Sequence, residues 1–229
     1  MKSVFIVDAV RTPIGRYGGA LSSIRPDDLL AYIIKALLKR NETVNVNAIE
    51  DVIAGAANQA GEDNRNVARM AALLAGLPVT VPGNTVNRLC ASGLQAIMDG
   101  ARQIMCGDAE MIIACGVESM TRAPFVIGKT ESAFDRSSEM FDTTMGWRFI
   151  NKNLSALHYP FGMGETAENV AKQWNISRQE QDEFAFSSQQ KYAAAKAANK
   201  WDDEIAAVEI NKKGLISWVV DDEHPRETS

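Results

Sequence analysis

The chain has 229 residues, 46% hydrophobic and 23% charged, with a formal net charge of −5. That length suits one large domain or two small ones with a sizeable core, and the composition excludes disordered, fibrous and collagen-like classes. Lys and Arg form no basic stripe, which argues against a nucleic-acid partner. No apolar stretch approaches the roughly 20 residues that span a bilayer.

In chain order, residues 3–7 are a β-rich run, broken by Asp8 far short of a signal-peptide core. Pro26-Asp27-Asp28 opens a segment with apolar residues at 29, 30, 33, 34, 37 and 38, the spacing of a helix. Residues 51–57 are apolar and small, as in a strand. Asn64 is a candidate cap for a helix through Val67, Met70, Ala71 and Leu74, closed by Gly76 with Pro78 beyond. Residues 79–86 are interrupted by Pro82 and Gly83, then extended. Residues 91–105 are helical by period, with apolar positions at 94, 97, 98, 101, 104 and 105, and residues 111–117 read as a buried strand. Strands alternating with helices predict an α/β fold, a sheet covered by helices on both faces.

The texture changes after residue 118. Residues 119–165 are loop-like and rich in Gly, Pro, Ser, Thr and Met, a length that in a compact domain usually carries function. A helix is predicted from near Thr166 to near Trp174. The next begins at Ser177, with Glu180 three residues on as a capping box and Phe184, Ala185, Ser188, Tyr192 and Ala195 along one stripe. Residues 205–210 and 215–220 read as two strands around Asn211-Lys212-Lys213-Gly214, a hairpin signal.

Three cysteines, Cys90, Cys106 and Cys115, make an odd count with no C-x-x-C pair, which argues against a disulfide framework and a zinc knuckle. Cys90, in Asn87-Arg88-Leu89-Cys90-Ala91-Ser92-Gly93, stands where an extended run ends and a helix begins. There the helix macrodipole favours a thiolate. The unpartnered N–H groups of the first turn can stabilise an oxyanion beside the sulfur. Small neighbours let a substrate approach the backbone. A free cysteine is more often a small buried hydrophobe. That is the expectation for Cys106, at the end of an apolar helical stripe, and for Cys115, inside a strand.

At these residues the chain resembles a known family. Asp8-Ala9-Val10-Arg11-Thr12-Pro13-Ile14-Gly15 resembles the opening of thiolases, and Asn84-Thr85-Val86-Asn87-Arg88-Leu89-Cys90-Ala91-Ser92-Gly93-Leu94-Gln95-Ala96 their nucleophile segment. Gly116-Val117-Glu118-Ser119-Met120-Thr121 is similar to the turn leaving their N-terminal core, and Thr166-Ala167-Glu168-Asn169-Val170-Ala171 to a helix start in their loop domain. The stretch from Arg122 to Phe149 looks like the 3-oxoadipyl-CoA branch. The resemblance implies the first half of an αβαβα core at residues 1–118 and most of an inserted loop domain at 119–229, incomplete at its C-terminal end. It implies cleavage of a 3-oxoacyl-CoA by coenzyme A, or the reverse condensation. Cys90 would be the nucleophile carrying the acyl group as a thioester, with its own N–H in an oxyanion hole. Met163 would line the acyl pocket, and Gly162 stands where many acetoacetyl-CoA thiolases have a histidine, a departure that suits a larger acyl group. Arg226 would touch the adenine end of coenzyme A. Coenzyme A enters as a substrate; no metal or redox cofactor is implied, and the expected partners are acyl-CoA and a homodimer or homotetramer of the full-length parent in the cytoplasm.

The family's Gly-His-Pro and Cys-x-Gly motifs, which supply the base and the second acid–base cysteine, are absent from these 229 residues; the histidines are His158 and His224, both in loop-like surroundings. Without a base the thiol is a weak nucleophile, and carbon–carbon bond formation needs the second group. The chain by itself is therefore expected to show no turnover and to leave a sheet edge and helix faces uncovered. Two other readings remain: a ketosynthase that condenses acyl groups carried on a protein, and a non-catalytic truncated module that binds or scaffolds.

Overall fold

The computed structural model describes residues 2–130 and 132–227. In chain order the regular elements are α1 (Pro26–Arg40), β1 (Asp51–Gly55), α2 (Val67–Leu74), β2 (Gly83–Val86), α3 (Ser92–Cys106), β3 (Ile112–Gly116), β4 (Phe125–Ile127), β5 (Met140–Asp142), α4 (Lys152–Leu157), α5 (Met163–Trp174), α6 (Arg178–Ala197), β6 (Val208–Lys212) and β7 (Leu215–Val219). Packing divides them into two units, Met1–Arg122 with Asp202–His224 and Ala123–Trp201 with Pro225–Ser229. The division read from sequence texture, a single break at 118, differs in that 202–224 pack with the first unit.

The sheet of the first unit has the order β2-β1-β3, all parallel. β1 is its centre and is buried from Val52 to Gly55. Successive side chains of a strand point to opposite faces. Val52 and Ala54, with Ala56 just beyond, join Leu30 and Ile34 of α1 and Ala68, Ala71 and Ala72 of α2 in one apolar cluster. Ile53 and Gly55 turn the other way, toward Gly100 and Ser92 of α3. The sheet is thus covered on both faces, as the alternating pattern predicts. α1 starts with Pro26 in its first turn, carries Asp27 and Asp28 beside it, and ends with Lys39 and Arg40, all of which suit its dipole. The cap of α2 is Asn66 rather than Asn64: the Asn66 side chain accepts the Arg69 N–H at 3.2 Å, while Asn64 sits in the preceding turn at φ 48°.

α3 packs on the sheet through Ser92, Ala96 and Gly100, spaced four apart. A Cβ on Gly100 would already stand 3.2 Å from the Ile112 side chain, so small residues set the helix close. The larger apolar stripe points elsewhere, and Leu94 is 61% and Ile97 44% exposed. Two sequence expectations fail here. Cys106 is exposed rather than core, because the stripe it ends is not the one that packs. Residues 3–7 form no strand, and Phe5, Ile6 and Val7 are largely exposed. Together with α1, α3 and β3 the N-terminal run lines an apolar groove of about 1220 Å³. Among the described residues β3 pairs only with β1, so no ladder captures the run. Cys115, inside β3, is only half-buried as a residue. Its thiol nevertheless reaches the Ile53 carbonyl at 3.5 Å, and desolvation pushes it up to about 12.

β6 and β7 form an antiparallel hairpin turned by Lys213 and Gly214 at φ 53° and 85°, the positive pair that a two-residue turn requires. The hairpin segment returns to the first unit through Arg11. Its guanidinium donates to Glu204 at 2.6 Å and to both oxygens of Asp222 at 2.7 and 3.1 Å. Backbone bonds of 2.8 Å run from Arg11 N–H to Glu204 and from Ala206 N–H to Arg11. Asp222 also accepts the Ile14 N–H at 2.7 Å, and Glu223 accepts those of Arg16 and Ala20.

In the second unit β4 pairs antiparallel with β5, so the loop-like 119–165 stretch holds a short ladder and α4. α6 begins as the capping box predicts, with Ser177 accepting from Glu180 N–H and the Glu180 carboxylate accepting from Ser177 N–H. None of its stripe is fully buried.

Removing Arg11 takes the guanidinium donors away from an Asp222 carboxylate whose side chain is only 5% exposed. Arg11→Leu should cost about 2–3 kcal/mol, read from urea unfolding, with earlier proteolysis between 202 and 224. Asp63, 9% exposed, is pushed up to about 6, first by burial and then by the charges of Glu118, Asp27 and Glu62. A raised carboxyl favours the protonated folded form. Its contribution is therefore complete below its ordinary value near 4 and is lost as pH rises through 6. Asp63→Asn should match the wild type in thermal unfolding at pH 4 and exceed it by about 1 kcal/mol at pH 7.5. An advantage that does not change with pH would contradict the assignment.

Candidate active site

β2 ends at Val86 and α3 begins at Ser92, so five residues make the turn between them. Asn87 folds its side chain over the turn and accepts the Leu89 N–H at 2.9 Å. Leu89 then takes a left-handed backbone at φ 50°, a conformation that costs a side-chain-bearing residue roughly 1 kcal/mol or more. Ser92, buried at 4% exposure, holds the turn from inside: its hydroxyl accepts the Arg88 N–H at 2.9 Å and donates to the Leu89 carbonyl. Backbone bonds from Ala91 to Arg88 at 3.1 Å and from Ser92 to Leu89 at 3.0 Å close it. Cys90 is left on the outside of this turn, exposed, one residue before the helix cap at Ala91.

The cap residue offers no side-chain acceptor. Among the described residues nothing accepts the N–H groups of Gly93 and Leu94, which stand free at the start of the helix. A Cβ on Gly93 would meet nothing within 4 Å, so the space beside the first turn is open. The other side is closed. A Cβ on Gly55 would lie 2.3 Å from the Ser92 carbonyl carbon and 2.4 Å from the Gly93 nitrogen, so the end of β1 abuts the start of α3 directly. Arg88 engages Gln95 at 2.7 Å along the helix surface.

One further layer surrounds the turn. The Asn87 amide donates to the Ala57 carbonyl at 2.8 Å. The Glu118 carboxylate accepts the N–H groups of Ala57 at 2.7 Å and Asn58 at 3.3 Å. Reasoning from the residues alone picked out Cys90 and gave Ser92 only the part of a small neighbour; Asn87, Gly55 and Glu118 were given no role. A signal existed for Asn87, since Asn side chains bond the backbone two residues on, and for Gly55, since a strand-end glycine marks close backbone approach.

The other residues predicted from sequence fall in the second unit, whereas Cys90 is in the first. Met163 is the first residue of α5 and 74% exposed, and Gly162 before it donates its N–H to Glu165 at 2.8 Å. Arg226 is exposed and its N–H donates to Gln189 at 3.1 Å. His158 ends α4 in the second unit and His224 lines the apolar groove of the first; both are exposed. Among the described residues no base is hydrogen-bonded to Cys90, and no group of three or more His, Cys, Asp or Glu side chains is arranged to hold a metal. What the site offers is an exposed thiol beside free backbone donors, an arrangement able to accept an acyl group from a thioester.

Comparison with known proteins identifies the family. A family model described as thiolase, N-terminal domain, matches residues 4–229. A β-ketoadipyl-CoA thiolase of Acinetobacter baylyi is 57% identical over 227 residues, covering 99% of this chain and 57% of its own. The 3-oxoadipyl-CoA/3-oxo-5,6-dehydrosuberyl-CoA thiolase of Escherichia coli is 56% identical with the same coverage. In structure, the chain is similar to the crystal structure of the Bacillus anthracis acetyl-CoA acetyltransferase, with a TM-score of 0.85 and 36% identity over 96% of this chain and 54% of that one. The chain thus spans little more than half the length of these relatives.

Gly55→Ala should displace the start of α3 and lower stability by about 2 kcal/mol or more, whereas Gly93→Ala, into open space, should stay within about 0.5 kcal/mol. Thermal unfolding of the two variants side by side checks the contrast.

Proposed function

This chain belongs to the thiolase family, matching its N-terminal domain, and on that premise we propose that it supplies the nucleophile for thiolytic cleavage of a 3-oxoacyl-CoA, with 3-oxoadipyl-CoA as substrate. The observation that carries the reading is the exposed Cys90 held outside the β2–α3 turn beside unpartnered N–H groups. The acyl specificity is supported by the relatives named for β-ketoadipyl-CoA and 3-oxoadipyl-CoA at 56–57% identity.

The sulfur of Cys90 attacks the 3-oxo carbonyl, and the oxyanion that forms is met by backbone N–H groups of the turn, that of Cys90 among them. Collapse breaks the bond between the second and third carbons. The shortened acyl group stays on sulfur as a thioester, and the acetyl-CoA carbanion takes up a proton. Coenzyme A then attacks the thioester, passes its thiol proton on and frees Cys90. Two proton transfers are thus required, one from the nucleophile and one at the substrate's second carbon. Neither His158 nor His224 is placed on Cys90 by any hydrogen bond among the described residues. The reading therefore assigns the base and the second acid–base group to Gly-His-Pro and Cys-x-Gly motifs of the full-length parent. In the second unit, Met163 would line the acyl pocket and Arg226 would meet the adenine end of coenzyme A. Residues 1–118 correspond in this reading to the N-terminal core and 119–229 to the loop domain. The parent would work in the cytoplasm as a homodimer or homotetramer, with no metal or redox cofactor. Among the described residues no helix is long and apolar enough to cross a membrane.

Incubating the chain with acetyl-CoA should add one acetyl group at Cys90, located by peptide mass spectrometry, and Cys90→Ser should abolish it. Thiolysis of 3-oxoadipyl-CoA with coenzyme A should show no multiple turnover by these 229 residues. Normal turnover would overturn the assignment of the base, and labelling only from an acyl-carrier protein would favour a ketosynthase. A coding frame that stays open past residue 229 and carries both motifs would support the assignment of the base, and one that does not would favour the non-catalytic module.

A further inference from the structure

We propose that Asn87 is the positioning residue for Cys90, a two-ended clamp whose far end is held by Glu118. The proposal rests on the acyl-transfer reading of Cys90 and deepens it. Three facts carry it. First, Leu89, next to the nucleophile, is held at φ 50°. A side-chain-bearing residue stays in that region only where its surroundings over-determine it. Second, the Asn87 carboxamide uses both its functions in opposite directions. Its oxygen accepts the Leu89 N–H at 2.9 Å and its nitrogen donates to the Ala57 carbonyl at 2.8 Å. Third, the 57–58 segment is itself held by the Glu118 carboxylate, which accepts the N–H groups of Ala57 at 2.7 Å and Asn58 at 3.3 Å. The turn that presents the sulfur follows directly on β2, and through Asn87 it is also tied to the residues just past β1 and β3. Ser92 closes the inner side of the turn; the Asn87 side chain ties its outer side to the segment that follows β1.

The residue type follows. Aspartate keeps the acceptor for Leu89 but loses the donor to Ala57, and sets a negative charge beside the sulfur. Alanine loses both. Glutamine at 118 keeps one acceptor oxygen and turns an NH₂ group on an N–H.

The test uses the three cysteines of the intact chain as one another's controls. Acyl transfer needs Cys90 aligned with the oxyanion donors, whereas alkylation by iodoacetamide needs only exposure. Cys106, exposed at the far end of α3, reports bulk accessibility, and Cys115, with its desolvated thiol in β3, reports unfolding. Asn87→Ala, Asn87→Asp and Glu118→Gln are each acylated with acetyl-CoA and with an activated aryl thioester, which acylates weak nucleophiles without a base. Asn87→Ala should lower the acylation rate of Cys90 about tenfold or more with either donor, as expected for misplacing a reacting atom by about an ångström. Alkylation of Cys90 and Cys106 should change less than about twofold and Cys115 should stay unlabelled. Asn87→Asp and Glu118→Gln should fall between Asn87→Ala and the wild type. Wild-type acylation rates in Asn87→Ala overturn the clamp, as does an equal loss of alkylation and acylation. Should Asn87→Ala expose Cys115, Glu118→Gln and Asn87→Asp decide the matter on the same ratio. Labelling of wild-type Cys90 from an acyl-carrier protein but not from either thioester would refute the coenzyme A reading; should acetyl-CoA react too slowly for want of a base, the ratio with the aryl donor still decides the clamp.

Discussion

The contact on which the rest depends is the one between Gly55 and Ser92, where the last residue of the central strand meets the first residue of α3 with no room for a side chain. Close packing of this kind transmits position, because well-packed atoms have few alternative arrangements. It sets where the helix begins. The helix start sets where the unpartnered N–H groups lie, and the five residues between β2 and α3 must then turn sharply to arrive there. The left-handed Leu89 and the buried Ser92 hydroxyl are consequences of that geometry. Cys90 is exposed because the turn has an outside and the cysteine is on it.

The same economy of small residues explains the two faces of α3. Ser92, Ala96 and Gly100 let the helix lie against β1 and β3, while the larger Leu94 and Ile97 remain accessible. A helix chooses its buried face by how closely it can approach a sheet, and total hydrophobicity alone does not decide it. The apolar groove among α1, α3, β3 and the N-terminal run belongs to the same arrangement: its walls are apolar, and the outer edge of β3 carries no strand among the described residues.

Arg11 has a comparable role elsewhere in the first unit. It draws the 202–224 segment to the N-terminal run across some two hundred residues of sequence. Asp222 and Glu223 gather the N–H groups of Ile14, Arg16 and Ala20, donors that no helix or sheet would otherwise satisfy. A charge network with both signs supplied from distant segments holds only if all its members arrive together.

Much of this was legible from residues alone. Hydrophobic period and capping chemistry placed α1, α2, α6 and the hairpin to within a few residues, because those signals are local: a proline in a first turn, a Ser and Glu three apart, a Lys-Gly pair. The residues around Cys90 marked a strand-to-helix junction, which the structure shows between β2 and α3. Tertiary structure alone decided that residues 3–7 go unpaired, that Cys106 faces solvent, that Asn66 and not Asn64 caps α2, and that the hairpin joins the first unit. It also decided which residues hold Cys90 in place. Each of those outcomes turns on what lies across from a residue, and the period of a chain records which residues share a face without recording what that face meets.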